Sequence, residues 1–336
     1  MEPSNLALFW AGAVALSIFV YVILDGFDLG VGVLYGTTNE EAKRVQMMGA
    51  IAPFWDGNET WLVLGGLGLL AAFPLAFAII LPAVYFPILV MLLALIFRGV
   101  AFEFRFRDVE HRTFWDHAFG YGSAVATFAQ GVVLGAFIQG FQVEGRHFSG
   151  GSFDCFTPFS MFTGLALLCG YGLLGAGWLI LKTEGELQQQ ARQHARLCFL
   201  ATLVAVGIVS LWTPIMDKDI AQRWFSWPNI AFLSPVPVVT ALFGVLEWRA
   251  IANPKSELRP FVYAVLLFSL SYLGIAISLF PMIVPHHYDL WQAASSADTQ
   301  IFLGVGTLFL LPVILVYTGW SYWVFRGKVR ADTGYH

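Results

Sequence analysis

The sequence predicts an all-α, polytopic membrane protein of about nine transmembrane helices, on three observations. Hydrophobic residues make up 58% of the 336-residue chain and charged residues 12%, with a mean hydropathy of +0.70. A water-soluble domain is nearer a quarter charged, because most of its surface must stay wet. Uncharged runs long enough to cross a bilayer recur along the chain, and lysine and arginine collect in alternate connections between them. The net charge of −4 is thinly spread and points to no nucleic-acid partner. Cys155, Cys169 and Cys198 lack the spacing of a disulfide framework, a zinc site or covalent haem attachment. No cleavable signal peptide is expected, since no basic segment precedes the first apolar run and that run is too long.

A hydrocarbon core takes about 20 apolar residues as helix. Residues 3–24 are uncharged, and residues 29–35 stay apolar beyond Asp25 and Asp28. Residues 60–97 are uncharged for 38 positions, roughly 57 Å of helix and too long for one crossing. Proline can turn the chain at Phe73-Pro74. Further runs cover residues 119–143, 155–181, 197–216, 224–246, 260–285 and 299–325. The expected spans are thus 6–35, 46–73, 76–98, 117–142, 156–181, 196–216, 225–248, 260–284 and 299–325, within one integral membrane domain over residues 1–336.

With nine spans, one set of connections carries Lys43, Arg44, Arg98, Arg105, Arg107, Arg112, Lys182, Arg192, Arg196, Arg249, Lys255, Arg259, Arg326, Lys328 and Arg330. The other carries only Arg146, Lys218 and Arg223. Fifteen against three places the N-terminus in the periplasm and the C-terminus in the cytoplasm of a bacterial inner membrane.

Ionisable groups at membrane depth are costly and mark function by default. The densest acidic stretches are Asp25-Gly-Phe-Asp28 and Trp55-Asp-Gly-Asn-Glu-Thr-Trp61. A second span starting after Glu59 and ending at Phe73 would be too short, so Asp56 and Glu59 belong inside the helix. They sit in its first turn, behind Pro53, where carboxylates complement the helix dipole. Alternatively they lie deeper, about 15 Å from the end if the helix starts near Gln46. Asp25 is either interfacial or carried below the surface with Asp28, where Gly26, Gly30, Gly32 and Gly36 would admit a close neighbouring helix. Arg98 ends an apolar run and is either their counter-ion or a snorkelling arginine. Glu103 and Glu247 read as interface residues.

None of His111, His117, His147, His194, His286, His287 and His336 falls in the middle of an apolar run, where a membrane haem needs an axial ligand. Adjacent His286 and His287 rarely point at one metal, and Met91 and Met161 read as packing. The chain alone is expected to hold no catalytic residue, metal or redox centre.

Asp25-Gly-Phe-Asp-Leu-Gly-Val-Gly, Ala52-Pro-Phe-Trp-Asp-Gly-Asn-Glu-Thr-Trp-Leu and Phe97-Arg-Gly-Val-Ala-Phe-Glu-Phe-Arg resemble the signature blocks of cytochrome bd oxidase subunit II. Lys182-Thr-Glu-Gly, Phe280-Pro and Tyr317-Thr-Gly-Trp-Ser-Tyr-Trp extend the resemblance to nearly the whole chain. The short loop after the sixth span and the Phe97-Arg-Gly-Val-Ala-Phe-Glu block look closest to the cyanide-insensitive branch. The resemblance implies two four-helix bundles plus a ninth helix. It also implies a haem-bearing subunit I as partner, holding two b haems, one d haem and the quinol site. A small single-helix subunit can accompany the pair, and the second subunit can hold a structural quinone. The complex would oxidise quinol and reduce dioxygen to water. Residues matching Asp25 and Asp56 are assigned there to a proton path from the cytoplasm. Asp28, Trp55, Asn58, Glu59 and Arg98 are supporting candidates, although Glu59 stands where some relatives carry glutamine. The rival readings are a proton- or cation-coupled secondary transporter with a site at Asp25, Asp28 and Asp56, and a purely structural assembly subunit.

Overall fold

Long apolar helices dominate the protein, whose computed structural model describes residues 3–329. In order they are α1 (Pro3–Tyr35), α2 (Glu41–Ile51), α3 (Trp55–Ala72), α4 (Pro74–Ala83), α5 (Tyr85–Arg107) and α6 (Arg112–Gln139). A short hairpin, β1 (Val143–Glu144) with β2 (His147–Phe148), leads to α7 (Pro158–Lys182), α8 (Gly185–Met216), α9 (Lys218–Phe225), α10 (Asn229–Leu233), α11 (Pro235–Ala252) and α12 (Leu258–Leu279). A second hairpin, β3 (Met282–Val284) with β4 (Tyr288–Asp289), then precedes α13 (Leu290–Ala293) and α14 (Ala297–Val324). Arg330 and His336 lie outside the described residues.

Among the described residues eight helices are long and apolar enough to cross a membrane, with α10 and α11 counted as one. The expected second span is not counted among them, because α3 starts with polar residues. Yet α3 runs alongside α1, from Asn58 beside Asp28 to Gly68 beside Val14. That span is divided into α2 and the 18-residue α3, whose first residues include Asp56, Asn58 and Glu59. Pro53 has no N–H to continue the ladder of α2, and Phe54 leaves helical geometry at φ −122°. The turn expected at Phe73-Pro74 is present, with Phe73 at φ −134°, ψ 63° and Pro74 opening α4. The expected third span at 76–98 differs more. Pro87 cannot donate to Ala83, so the chain breaks at Val84 and a new helix runs from Tyr85 to Arg107. Arg98 is therefore not at a helix end; it lies inside α5, nine residues or about 14 Å before its terminus.

At the centre, α1 packs against α3, α6 and α7. Its approach to α7 is backbone on backbone. A Cβ at Gly30 would stand 1.8 Å from Tyr171 O, and one at Gly175 would stand 2.3 Å from the carbonyl carbon of Gly30. On another face of α1, Gly32 admits the Ser123 hydroxyl of α6, while nothing approaches Gly36. Phe27, Leu29, Val31, Tyr171, Leu174 and Trp178 are buried around this seam. Outward, the molecule shows apolar residues where a soluble protein would show charges: Leu93 and Ile96 on α5, Leu203 and Leu211 on α8, Phe302 and Val316 on α14. Such faces call for lipid or a partner helix rather than water.

The arginine-rich end is tied by side chains reaching backbone carbonyls. Arg192 donates to Ile251, Asn253, Pro254 and Ser256, holding the α11–α12 connection. Lys182 donates to Phe325 O and Lys328 to Thr183 O, which fixes the segment after α14 against α7. Trp115 and His111 hold the Asp108 carboxyl, in the α5–α6 connection, below the usual carboxylate range.

Candidate functional site

Five polar side chains meet between α1, α3 and α5, about 10–15 Å from the Tyr35 end of α1. Asp25 and Asp28, one turn apart on α1, are fully buried. Arg98 reaches them from α5: its Nη1 lies 3.5 Å from Asp25 Oδ1 and donates to Glu59 Oε1 at 2.6 Å. Asn58 of α3 donates to Asp28 Oδ2 at 2.6 Å and accepts from the Tyr322 hydroxyl of α14 at 3.0 Å. The Arg98 guanidinium stands 6.0 Å from the Trp55 ring and 5.8 Å from the Phe102 ring. Those two rings stack at 4.9 Å. Of the two readings of Arg98, the geometry selects counter-ion: a snorkelling arginine would be exposed, and Arg98 is 0% exposed.

The network has one side turned outward. Glu59 keeps 24% of its side chain exposed, and Asp56, three residues earlier on α3 and so on nearly the same face, is exposed. Asp56 occupies the first turn of α3, two residues after the break at Phe54, with α2 running through Gln46 ahead of it. Inward, Asp28 Oδ1, Arg98 Nε and Arg98 Nη2 are buried with no hydrogen-bond partner among the described residues, while Asp25 interacts with the Tyr21 hydroxyl. Buried polar atoms are nearly always satisfied by protein or ordered water, so unpartnered atoms at this depth set the network apart from ordinary core packing.

A second cluster, not singled out from the sequence, lies where α1 and α5 end. Arg105 Nε donates to Asp116 Oδ1 at 2.5 Å, Arg44 donates to Asp116 Oδ2 at 2.8 Å, and the Tyr35 hydroxyl also bonds Asp116. Glu41 of α2 joins through Arg105 at 2.8 Å. Arg98, Phe102 and Arg105 recur at helical spacing, so one face of α5 links the deep network to this cluster.

Other readings change. Glu247, expected at the interface, is fully buried in α11 with neither carboxylate oxygen partnered. Replacing it with leucine removes an unsatisfied polar group and is expected to raise the thermal midpoint of the assembled protein by a few degrees. A fall of that size would show that a partner holds the carboxyl. His286 and His287 point apart, His286 toward Asp217 at 3.4 Å and His287 toward Phe141 O at 3.0 Å. Asp217, Asp219 and His286 bring ligand atoms within 4.8 Å of one another, but Asp217 is already the cap of α9. Met91 is buried, whereas Met161 is exposed. Among the described residues every histidine is exposed or half-exposed.

These features define an all-α, polytopic membrane protein built around a buried carboxylate–arginine network. The chain belongs to the cytochrome bd terminal oxidase subunit II family, whose model matches residues 6–325. It is 27% identical to cytochrome bd-I ubiquinol oxidase subunit 2 of Escherichia coli (strain K12), over 97% of this chain and 96% of that one. It is 32% identical to cytochrome bd ubiquinol oxidase subunit 2 of Bacillus subtilis (strain 168), covering 95% and 96%. The fold matches a chain of the bd oxidase from Geobacillus thermodenitrificans with a TM-score of 0.74 at 18% identity, covering 93% and 97%.

Proposed function

We propose that this chain serves a quinol:oxygen oxidoreductase as its second subunit, leading protons from the cytoplasm toward haems held by a partner subunit. Family membership supports the oxidase assignment. The observation that carries the proton role is the path of acids from surface to interior. Exposed Asp56 and half-exposed Glu59 stand outside Arg98, which faces fully buried Asp25, with Asp28 behind. A purely structural cap would not need carboxylates at two depths joined by one arginine.

In this reading the chain's own groups move and hold protons, and electrons travel through the partner. The haems supply the oxygen chemistry when bound there, in the subunit that also takes quinol. A structural quinone and a small single-helix subunit are compatible additions. The arginine-rich end faces the cytoplasm, which puts the N-terminus in the periplasm. A reporter that fluoresces only in the cytoplasm, fused after the C-terminal residue, is expected to fluoresce; a dark but intact fusion reverses the orientation.

Asp56→Asn and Asp25→Asn should each slow oxygen reduction by about tenfold or more in an assembled, fully haem-loaded complex. The double variant should be little slower than the worse single one, since both acids serve one path. Wild-type turnover with full haem content would make Asp56 structural. Additive losses would place the two acids on separate routes.

A further inference from the structure

Arg223 is one of the three cations of the arginine-poor end, and the oxidase reading gives it no task. It sits on α9, with Nη1 donating to Ile277 O at 2.8 Å and to Phe280 O, the carbonyls that finish α12. Among the described residues it has no carboxylate partner within salt-bridge distance. Two carbonyls orient the guanidinium without cancelling its charge, and they leave Nε and Nη2 unengaged.

A groove of about 460 Å³ opens beside it. Arg223 and Asn229 are its polar groups, and Phe232, Leu233, Ala276, Ile277 and Phe280 supply apolar walls. Around it lie the aromatic side chains expected at a membrane–water boundary: Trp227 is 81% exposed and Phe232 75%. Trp224 is anchored from the same helix as Arg223 by its bond to Ser278 Oγ at 2.8 Å.

From this juxtaposition, we propose that the groove between α9, α10 and the end of α12 binds an anionic phospholipid. Its phosphate accepts from Arg223 Nε and Nη2, and an acyl chain lies along Phe232, Ala276 and Ile277. The chemistry is selective in two directions. A non-ionic amphiphile would leave an oriented cation unpaired beside apolar surface, and a zwitterionic lipid brings its own ammonium to compete for its phosphate. An inorganic anion would gain nothing from the apolar walls.

The test uses the purified complex in mild detergent, titrated with phosphatidylglycerol or phosphatidylcholine and read by native mass spectrometry, with haem absorbance reporting assembly. Wild type should hold phosphatidylglycerol in preference to phosphatidylcholine, and millimolar inorganic phosphate should not displace it. Arg223→Gln should weaken phosphatidylglycerol binding about tenfold, the loss of a charge-assisted hydrogen-bonded pair, while Arg223→Lys keeps most of it. Ala276→Trp, which fills the groove and leaves the cation, should lose the lipid too. It decides the matter alone if Arg223→Gln does not assemble. Equal lipid retention in wild type and Ala276→Trp would overturn the assignment, as would displacement by phosphate. So would a quinone or a polypeptide helix found in the groove in place of the lipid.

Discussion

Replacing Arg98 with methionine is expected to destabilise the chain by about 3–5 kcal/mol, enough to prevent a haem-loaded complex from accumulating. The guanidinium is fully buried and faces Asp25 at 3.5 Å and Glu59 at 2.6 Å, with Asp28 a turn from Asp25. Methionine preserves much of the packing against the stacked Trp55 and Phe102 rings but strands the carboxylates at membrane depth. That penalty comes from what is left unpaired, so removing an acid as well should return part of it. Arg98→Met combined with Asp25→Asn is expected to be more stable than Arg98→Met alone. Lysine should recover part of the loss, because both carboxylates meet the single nitrogen Nη1, but not the packing of the guanidinium beside the Trp55 and Phe102 rings. Thermal unfolding followed by haem absorbance checks the series. A normal yield and midpoint for Arg98→Met would mean that the acids are satisfied elsewhere, and would remove Arg98 from the proposed path.

How much of this was legible in the sequence depends on whether the deciding contact was local. The uncharged runs, the turn at Phe73-Pro74, and the continuation of α1 to Tyr35 past Asp25 and Asp28 were readable, because hydropathy and proline act over a few residues. The depth of Arg98 was not. A run that ends Leu-Ile-Phe-Arg looks like a helix meeting water, yet the break at Val84 shifts the whole helix so that its end falls at Arg107. Nothing near Arg98 announces this shift; only Pro87 hints that the helix cannot start earlier.

The same limit explains the second cluster. Asp116 is joined by Arg44, 72 residues away, and Tyr35, 81 residues away, and no spacing rule reaches so far. Arg105 and Arg107 are two residues apart on one helix, yet the first is fully buried and the second exposed. Helical spacing from Arg98 could have separated them, since the interval to 105 is close to two turns. Glu247 had no such signal: an acid closing an apolar run reads as interfacial unless the packing of α11 on α8 and α12 is known. The family blocks mark Asp25, Asp28, Asn58, Glu59 and Arg98 by their place in a shared fold, but they include neither Asp116 nor Glu247.

Gly30→Ala is expected to rival the loss of Arg98, although it alters no charge. The added methyl would lie 1.8 Å from Tyr171 O and 2.8 Å from Gly175 N, both backbone atoms that no rotamer change can move. Relief requires α1 and α7 to separate along the seam that buries Phe27, Val31, Leu174 and Trp178. Overpacking a filled core costs about 1–3 kcal/mol, occasionally more, and backbone contact belongs at the top of that range. Gly12→Ala supplies the control. It lies on the same helix with nothing within 4 Å, so the intrinsic preference for alanine should leave stability unchanged or raise it by about 0.5–1 kcal/mol. Asp28 sits two residues from Gly30 on α1, so separation of the helices also displaces its bond to Asn58. Assembled Gly30→Ala complex should therefore show both a lower thermal midpoint and slower oxygen reduction, whereas Gly12→Ala shows neither. Matching midpoints for the two variants would mean that α1 and α7 stand further apart than the contact at Gly175 requires.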